Sequence, residues 1–292
     1  MSLRLLFFNN IHKLYLKFDR TTDDRSLSKR LTQKIISLFR LHKIEFINTK
    51  NKNFRKIKNF NFKKNGIDLN LETQKIDITF IPTLKLYVKF IYIYIVYFIS
   101  IINSLLALKK NYSSYNFIYY GKKRLRIKEL KKVIIKIKEN FKLSNSSLYI
   151  IDYNHSLDYS NNIYFSKKPV IQFFKICLNR KKKFQFLAKF IKLFFIFNCR
   201  IMQNKSLLLL SQDLIENEIF NYTNKNYNIK IYCNISKLTD TPYWFKKRND
   251  NIKTYFIWDS IEPFFSLIFN KEELKIPSMW IQYLCVDYHC FE

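Results

Sequence analysis

Glycine is almost missing from this chain: of 292 residues only Gly66 and Gly121 lack a side chain. Phosphate-cradling loops need several glycines, because a Cβ would hold the backbone away from the phosphate oxygens. A P-loop and a G-x-G-x-x-G dinucleotide fingerprint are therefore both excluded. Histidine is nearly as scarce. His12, His42, His155 and His289 are scattered and form no H-E-x-x-H pair. The five cysteines contain no C-x-x-C. Cys285, His289 and Cys290 lie close together, yet a zinc site needs a second ligand cluster that is not there. No metal and no cofactor are expected. An odd set of unclustered thiols fits a reduced, cytoplasmic environment. The first residues, MSLRLLFFNNIHKLYLKF, lack the long apolar run and small-residue cleavage site of a secretory signal.

Acidic residues are also few, 22 against 52 Lys and Arg. Abundant Lys, Asn, Ile, Phe and Tyr match what A/T-rich codons encode, so coding bias explains part of the basic balance. It does not explain the distribution. Residues 1–210 hold 43 basic against 11 acidic residues, and residues 211–292 hold 9 against 11. A basic part of this size predicts an anionic partner: a lipid surface, a nucleic acid or a phosphorylated substrate. The 29 Phe and 20 Tyr supply ample material for a core.

The chain divides into a basic, helical, membrane-biased segment over 1–110 and an α/β domain over 111–292. In the first part, 26–46 reads as an amphipathic helix, solvated or lying on anionic lipid. The Lys/Asn-rich run 49–66 reads as a loop, with stacking on single-stranded bases as the alternative. Phe90 to Leu108 carries no charge and is predicted to be one continuous helix. At 1.5 Å per residue it reaches roughly 28 Å, close to the ~30 Å core of a bilayer. Its tyrosines crowd the first half instead of marking two interfaces, which also suits a buried or surface-lying helix.

Further along, short β-type runs alternate with helices. Strands are expected at 117–120, 148–151, 228–232, 254–258 and 281–286. Helices are expected at 127–142, 181–197 and 206–222, the last being the first acidic one. This order predicts an α/β fold with a mainly parallel sheet flanked by helices. Ligands of such sheets bind beyond the carboxyl ends of strands. That rule singles out the loops after Cys233, Trp258 and Val286. Asp259 and Glu262, in WDSIEP, either contact a sugar hydroxyl and serve as base, or Asp259 caps a following helix. Asp152 with His155 is an acid/base pair or a capped loop.

Residues 213–289 carry a resemblance. An acidic helix leads to the strand IKIYCNIS, then to Leu238-Thr239-Asp240-Thr241-Pro242-Tyr243-Trp244. The strand TYFIWDS follows, and after a gap come Met279-Trp280 and Val286-Asp287-Tyr288-His289. This order resembles a group of bacterial surface-polysaccharide biosynthesis proteins regarded as glycosyltransferases of the GT-B type. The resemblance implies a GT-B N-terminal-domain-like fold, with the donor-binding second domain largely absent. It further implies a nucleotide-sugar donor, a lipid- or glycan-linked acceptor, and work at the cytoplasmic face of the cell membrane, peripheral or single-pass. Asp259 and His289 are the expected catalytic pair, and Asp240, Trp244, Trp258 and Glu262 the expected substrate contacts. Two other readings stay open: a nucleic-acid-binding protein, organellar or ribosome-associated, and a non-catalytic membrane scaffold.

Overall fold

The computed structural model describes residues 30–31, 34, 67–68, 79–80, 84–119, 127–140, 142–144, 146–153, 157–160, 162–203, 205–224, 227–234, 242–245, 251–258 and 288–291. Two short strands, β1 (Ile67–Asp68) and β2 (Thr79–Phe80), pair antiparallel. The other described strands form a seven-stranded sheet of order β5-β6-β4-β3-β7-β8-β9. Its strands are β3 (Tyr115–Tyr119), β4 (Leu148–Asp152), β5 (Leu157–Ser160), β6 (Ile163–Ser166), β7 (Ile229–Asn234), β8 (Ile252–Trp258) and β9 (Tyr288–Phe291). All neighbours pair parallel except the edge hairpin of β5 and β6.

The chain starts this sheet at β3, runs outward through β4 to β6, then returns to the other side of β3 to lay down β7, β8 and β9. That is the order of a doubly wound sheet, whose direction reverses between β3 and β7. Helices fill the connections: α1 (Leu84–Ser104) precedes β3, and α2 (Ile127–Asn140) joins β3 to β4. Between β6 and β7 come α3 (Pro169–Cys177), α4 (Arg180–Gln203), a 3-10 turn (Lys205–Leu210) and α5 (Ser211–Thr223). Proline opens α3, where its missing N–H costs nothing.

Alternation along the strands splits the core in two. Phe117, Ile150 and Ile231 point to the side covered by α1, α3, α4 and α5. Ile118, Ile151 and Tyr232 point to the opposite side, where Ile134 and Ile137 of α2 pack on them. Both faces are thus covered, as a parallel sheet requires. Each fully buried Phe or Ile side chain contributes ~1.5–3 kcal/mol. Aromatic edges join the layers: Phe117 meets Phe173 of α3 at 5.3 Å and Trp244 at 5.2 Å between ring centres.

The parallel α/β expectation holds, with four of the five expected strands found as β3, β4, β7 and β8. The fifth, 281–286, lies outside the described residues, and β9 beyond it pairs with β8. The β5–β6 hairpin was not foreseen. The apolar helix begins at Leu84 and ends at Ser104, four residues short of Leu108. There the ladder tightens to three-residue bonds, from Leu105 N to Ile102 O and from Ala107 N to Ser104 O, and Ser104 Oγ bonds back to Ile101 O. The buried Lys183 ammonium, from a distant helix, fastens this end through the carbonyls of Ser104 and Ala107 at 3.0 and 2.7 Å. Of the expected helix over 26–46, Arg30, Leu31 and Lys34 are described and helical. The loop at 49–66 and the Asp152 partner His155 lie outside the described residues.

Candidate functional site at the carboxyl edge of the sheet

A cavity of about 280 Å³ opens at the carboxyl ends of β3 and β4, beside the point where the strand order reverses. Tyr119 and Asp152 end those two strands, and Lys167 and Pro242 follow β6 and β7. Alpha-helix α1 contributes Lys89, the helical turn near the start contributes Arg30 and Lys34, and α5 contributes Gln212, Asp213 and Glu216. The lining is therefore polar, with four cations around three carboxylates.

The two carboxylates of α5 are three residues apart, so they share one helix face. Asp213 accepts from Arg30 Nε at 2.8 Å and from a terminal guanidinium nitrogen at 3.2 Å, a two-pronged pair. The backbone N–H of Tyr243 adds a third bond at 3.0 Å. Glu216 accepts from Gln212 Nε2 at 2.9 Å, from Trp244 Nε1 at 3.2 Å and from the Tyr97 hydroxyl. Burial nevertheless dominates and pushes the Glu216 carboxyl above its ordinary range, opposed by those three donors and reinforced by nearby Asp213. A carboxylate held this way is poised to take up a proton.

Burial acts on the neighbours too. It raises the Tyr119 phenol, with the Asp152 carboxylate adding to the effect. It lowers the Lys168 ammonium, partly offset by Glu216, and that ammonium bonds Ser100 Oγ at 3.0 Å over the ring of Tyr97. The cavity therefore offers two functions side by side: cations that can hold an anionic group, and a desolvated carboxylate that can accept a proton. No group of three or more His, Cys, Asp and Glu suited to a metal ion occurs among the described residues.

The residues expected from sequence divide differently. Trp244 is fully buried, its ring packed between Phe220 at 4.6 Å, Phe245 at 4.9 Å and Phe117. It presents no ring face to a sugar, because the same ring closes the core beneath the cavity and its N–H is committed to Glu216. The strand ends at Cys233 and Trp258 do lie side by side, since β7 and β8 pair from Ile229 with Ile252 through Asn234 with Ile257. His289 stands opposite Phe256 on β9, and Trp258 opposite Phe291. Asp240, Asp259 and Glu262 lie outside the described residues. Sequence reasoning missed Arg30, Lys89, Lys167, Asp213 and Glu216. One signal was readable: two acids at i and i+3, set among Leu214, Ile215, Ile219 and Phe220, in a strongly basic chain.

Comparison with protein-family models, with curated proteins and with solved structures finds no match to this chain.

Proposed function

We propose that this chain is a membrane-associated, glycosyltransferase-like protein of surface polysaccharide or glycolipid assembly. It takes a sugar from a nucleotide-sugar donor to a lipid- or glycan-linked acceptor at the cytoplasmic face of the membrane. One observation carries the reading: a cation-ringed cavity at the carboxyl edge of a doubly wound sheet that also holds a desolvated carboxylate, Glu216. Arg30, Lys34, Lys89 and Lys167 would face the donor's phosphates, whose charge grows as the bond from sugar carbon to phosphate oxygen breaks. Glu216 would accept the proton of the acceptor hydroxyl as its oxygen bonds the same carbon. The nucleoside diphosphate then leaves with the electron pair. Asp259 and His289 remain a second catalytic pair to be set against Glu216, with Asp240, Trp258 and Glu262 as further contacts.

Titration calorimetry with uridine diphosphate tests the binding half. Lys34→Ala with Lys167→Ala should weaken it by about tenfold, as loss of two charge-assisted bonds does. A transfer assay with nucleotide-sugar donors tests the chemical half. Glu216→Gln should remove transfer and keep binding, and the parallel Asp259→Asn shows which carboxylate is the base. Steep, salt-dependent RNA binding with no nucleotide binding would overturn the reading in favour of a nucleic-acid-binding protein.

A further inference from the structure

The outer faces of α1 and α4 are apolar, open and aligned. Tyr87 meets Asn198, Phe90 meets Phe194, Tyr94 meets Phe190, and Lys183 reaches Ser104. Contacts in this reversed order make the two helices antiparallel. On α1, Val88, Tyr92, Ile95 and Ile99 recur at three- and four-residue steps and are exposed, Tyr92 by 66%. On α4, Phe184, Ile191 and Phe195 share one face at seven- and four-residue steps and are exposed, Phe195 by 67%. Viewed from its own N-terminus, each stripe lies to the same side of the α1–α4 seam, at roughly 130° on α1 and roughly 80° on α4. In an antiparallel pair, stripes placed that way face the same direction. The result is one plate two helices wide.

A patch of this kind on a water-soluble surface marks an interaction site. Its chemistry names the occupant. Neither helix contains a single Asp or Glu, while exposed Lys89, Lys181 and Lys192 border the plate. Apolar residues inside a rim of cations complement acyl chains beneath anionic headgroups. Among the described residues, α1 is the one helix long and apolar enough to cross a membrane, over Leu86–Ser104. Its inner face, however, is committed: Phe90, Tyr94, Tyr97 and Ile101 are buried in the core, and Tyr97 bonds Glu216. Crossing would tear these contacts out, whereas lying flat keeps them.

We propose that the protein docks on an anionic bilayer through this plate, with α1 and α4 lying in the membrane plane. The proposal deepens the membrane part of the reading above and is independent of the sugar chemistry. Leu86, Lys89 and Ile93 line the cavity from a different face of α1, so the plate and the cavity do not compete for the same side chains apart from Lys89 at their border.

Co-sedimentation of the full chain with vesicles of equimolar phosphatidylcholine and phosphatidylglycerol tests this without any sugar donor. The wild type should pellet with these vesicles and stay soluble with phosphatidylcholine alone. Ile95→Glu combined with Ile191→Glu should cut binding by about tenfold or more, with the thermal melt unchanged. If that pair does not fold, Ile95→Ser with Ile191→Ser replaces it. Lys181→Glu with Lys192→Glu should flatten the salt dependence of binding. Unchanged pelleting of the apolar variants would overturn the proposal. So would pelleting that resists alkaline carbonate, which means a spanning helix. A dimer in light scattering that the same substitutions dissolve, without vesicle binding, would assign the plate to a second copy instead. Loss of transfer alone, with docking intact, counts against the sugar reading and not against the plate.

Discussion

Arg30 and Asp213 meet in a buried, two-pronged ion pair although 183 positions separate them in sequence, with nitrogen–oxygen distances of 2.8 and 3.2 Å. The pair fastens the start of the chain to α5 and forms one wall of the cavity. Removing one partner strands the other charge in the interior. Arg30→Met should therefore cost ~3–5 kcal/mol. Arg30→Met with Asp213→Leu together should cost less than Arg30→Met alone, because no buried charge is left. Urea unfolding of wild type and variants decides it, and equal losses would mean that Asp213 is neutralised by other groups.

Glu216 makes stability depend on pH in a defined direction. Burial raises its carboxyl above the ordinary value, so the folded chain keeps this proton where the unfolded chain has released it. Its contribution is then greatest below the unfolded value of about 4.3 and is lost as pH rises through the raised one. The melting temperature of wild type relative to Glu216→Gln should fall across that window. A difference that stays level with pH would show that the three hydrogen bonds fully offset burial.

Trp244→Phe should act on the same carboxyl from the other side. It keeps most of the ring packing but deletes the Nε1 donor at 3.2 Å. Loss of a buried donor to a charged acceptor costs ~1.5–3 kcal/mol. Because that bond favours the ionised form, its removal should also move the Glu216 titration further up. Proton release on unfolding, followed by calorimetry in buffers of different ionisation heat, reads the shift.

Lys183 is the lock on the end of α1. It is completely buried, and its ammonium bonds the carbonyls of Ser104 and Ala107, the first of which also accepts the backbone N–H of Ala107 at 3.1 Å. Lys183→Met should remove both ammonium bonds at a cost of ~1–3 kcal/mol and fray the last turn of α1. Hydrogen exchange should quicken at residues 101–104 more than in α3. Uniform acceleration across both helices would point to global destabilisation instead.

The sheet was legible because its strands are short β-branched and aromatic runs set between long connections, and those signals are local. Runs such as IYFS and LDYS were not, since a four-residue edge strand carries too few alternations to register. The end of α1 escaped as well. Its apolar pattern continues through Leu105, Leu106 and Leu108, and the residue that fastens its end is a lysine 79 positions away. The site was hidden for the same reason. Asp213 and Glu216 stand out only as two acids on one helix face, and nothing local tells that Arg30, Tyr97 and Trp244 will converge on them. Trp244 looked like an open sugar platform because sequence shows a ring next to a turn and not the four aromatic neighbours, Phe117, Tyr119, Phe220 and Phe245, that enclose it.

The reversal of strand order between β3 and β7 also sets a timetable for folding. Tyr115 pairs with Ile229 across more than a hundred positions, the widest separation between neighbouring strands of this sheet. Parallel pairing at such separation must overcome a large loop-closure entropy before any contact repays it. In chain order β3, β4 and β6 are complete before β7, so the edge of β3 that β7 takes has no partner until α3, α4 and α5 have been made. A nascent chain in that state exposes an unpaired edge beside two apolar helices, the combination that favours association with other chains. An early encounter with a membrane surface would shelter the helices at that stage, which makes the order of emergence as telling as the finished fold.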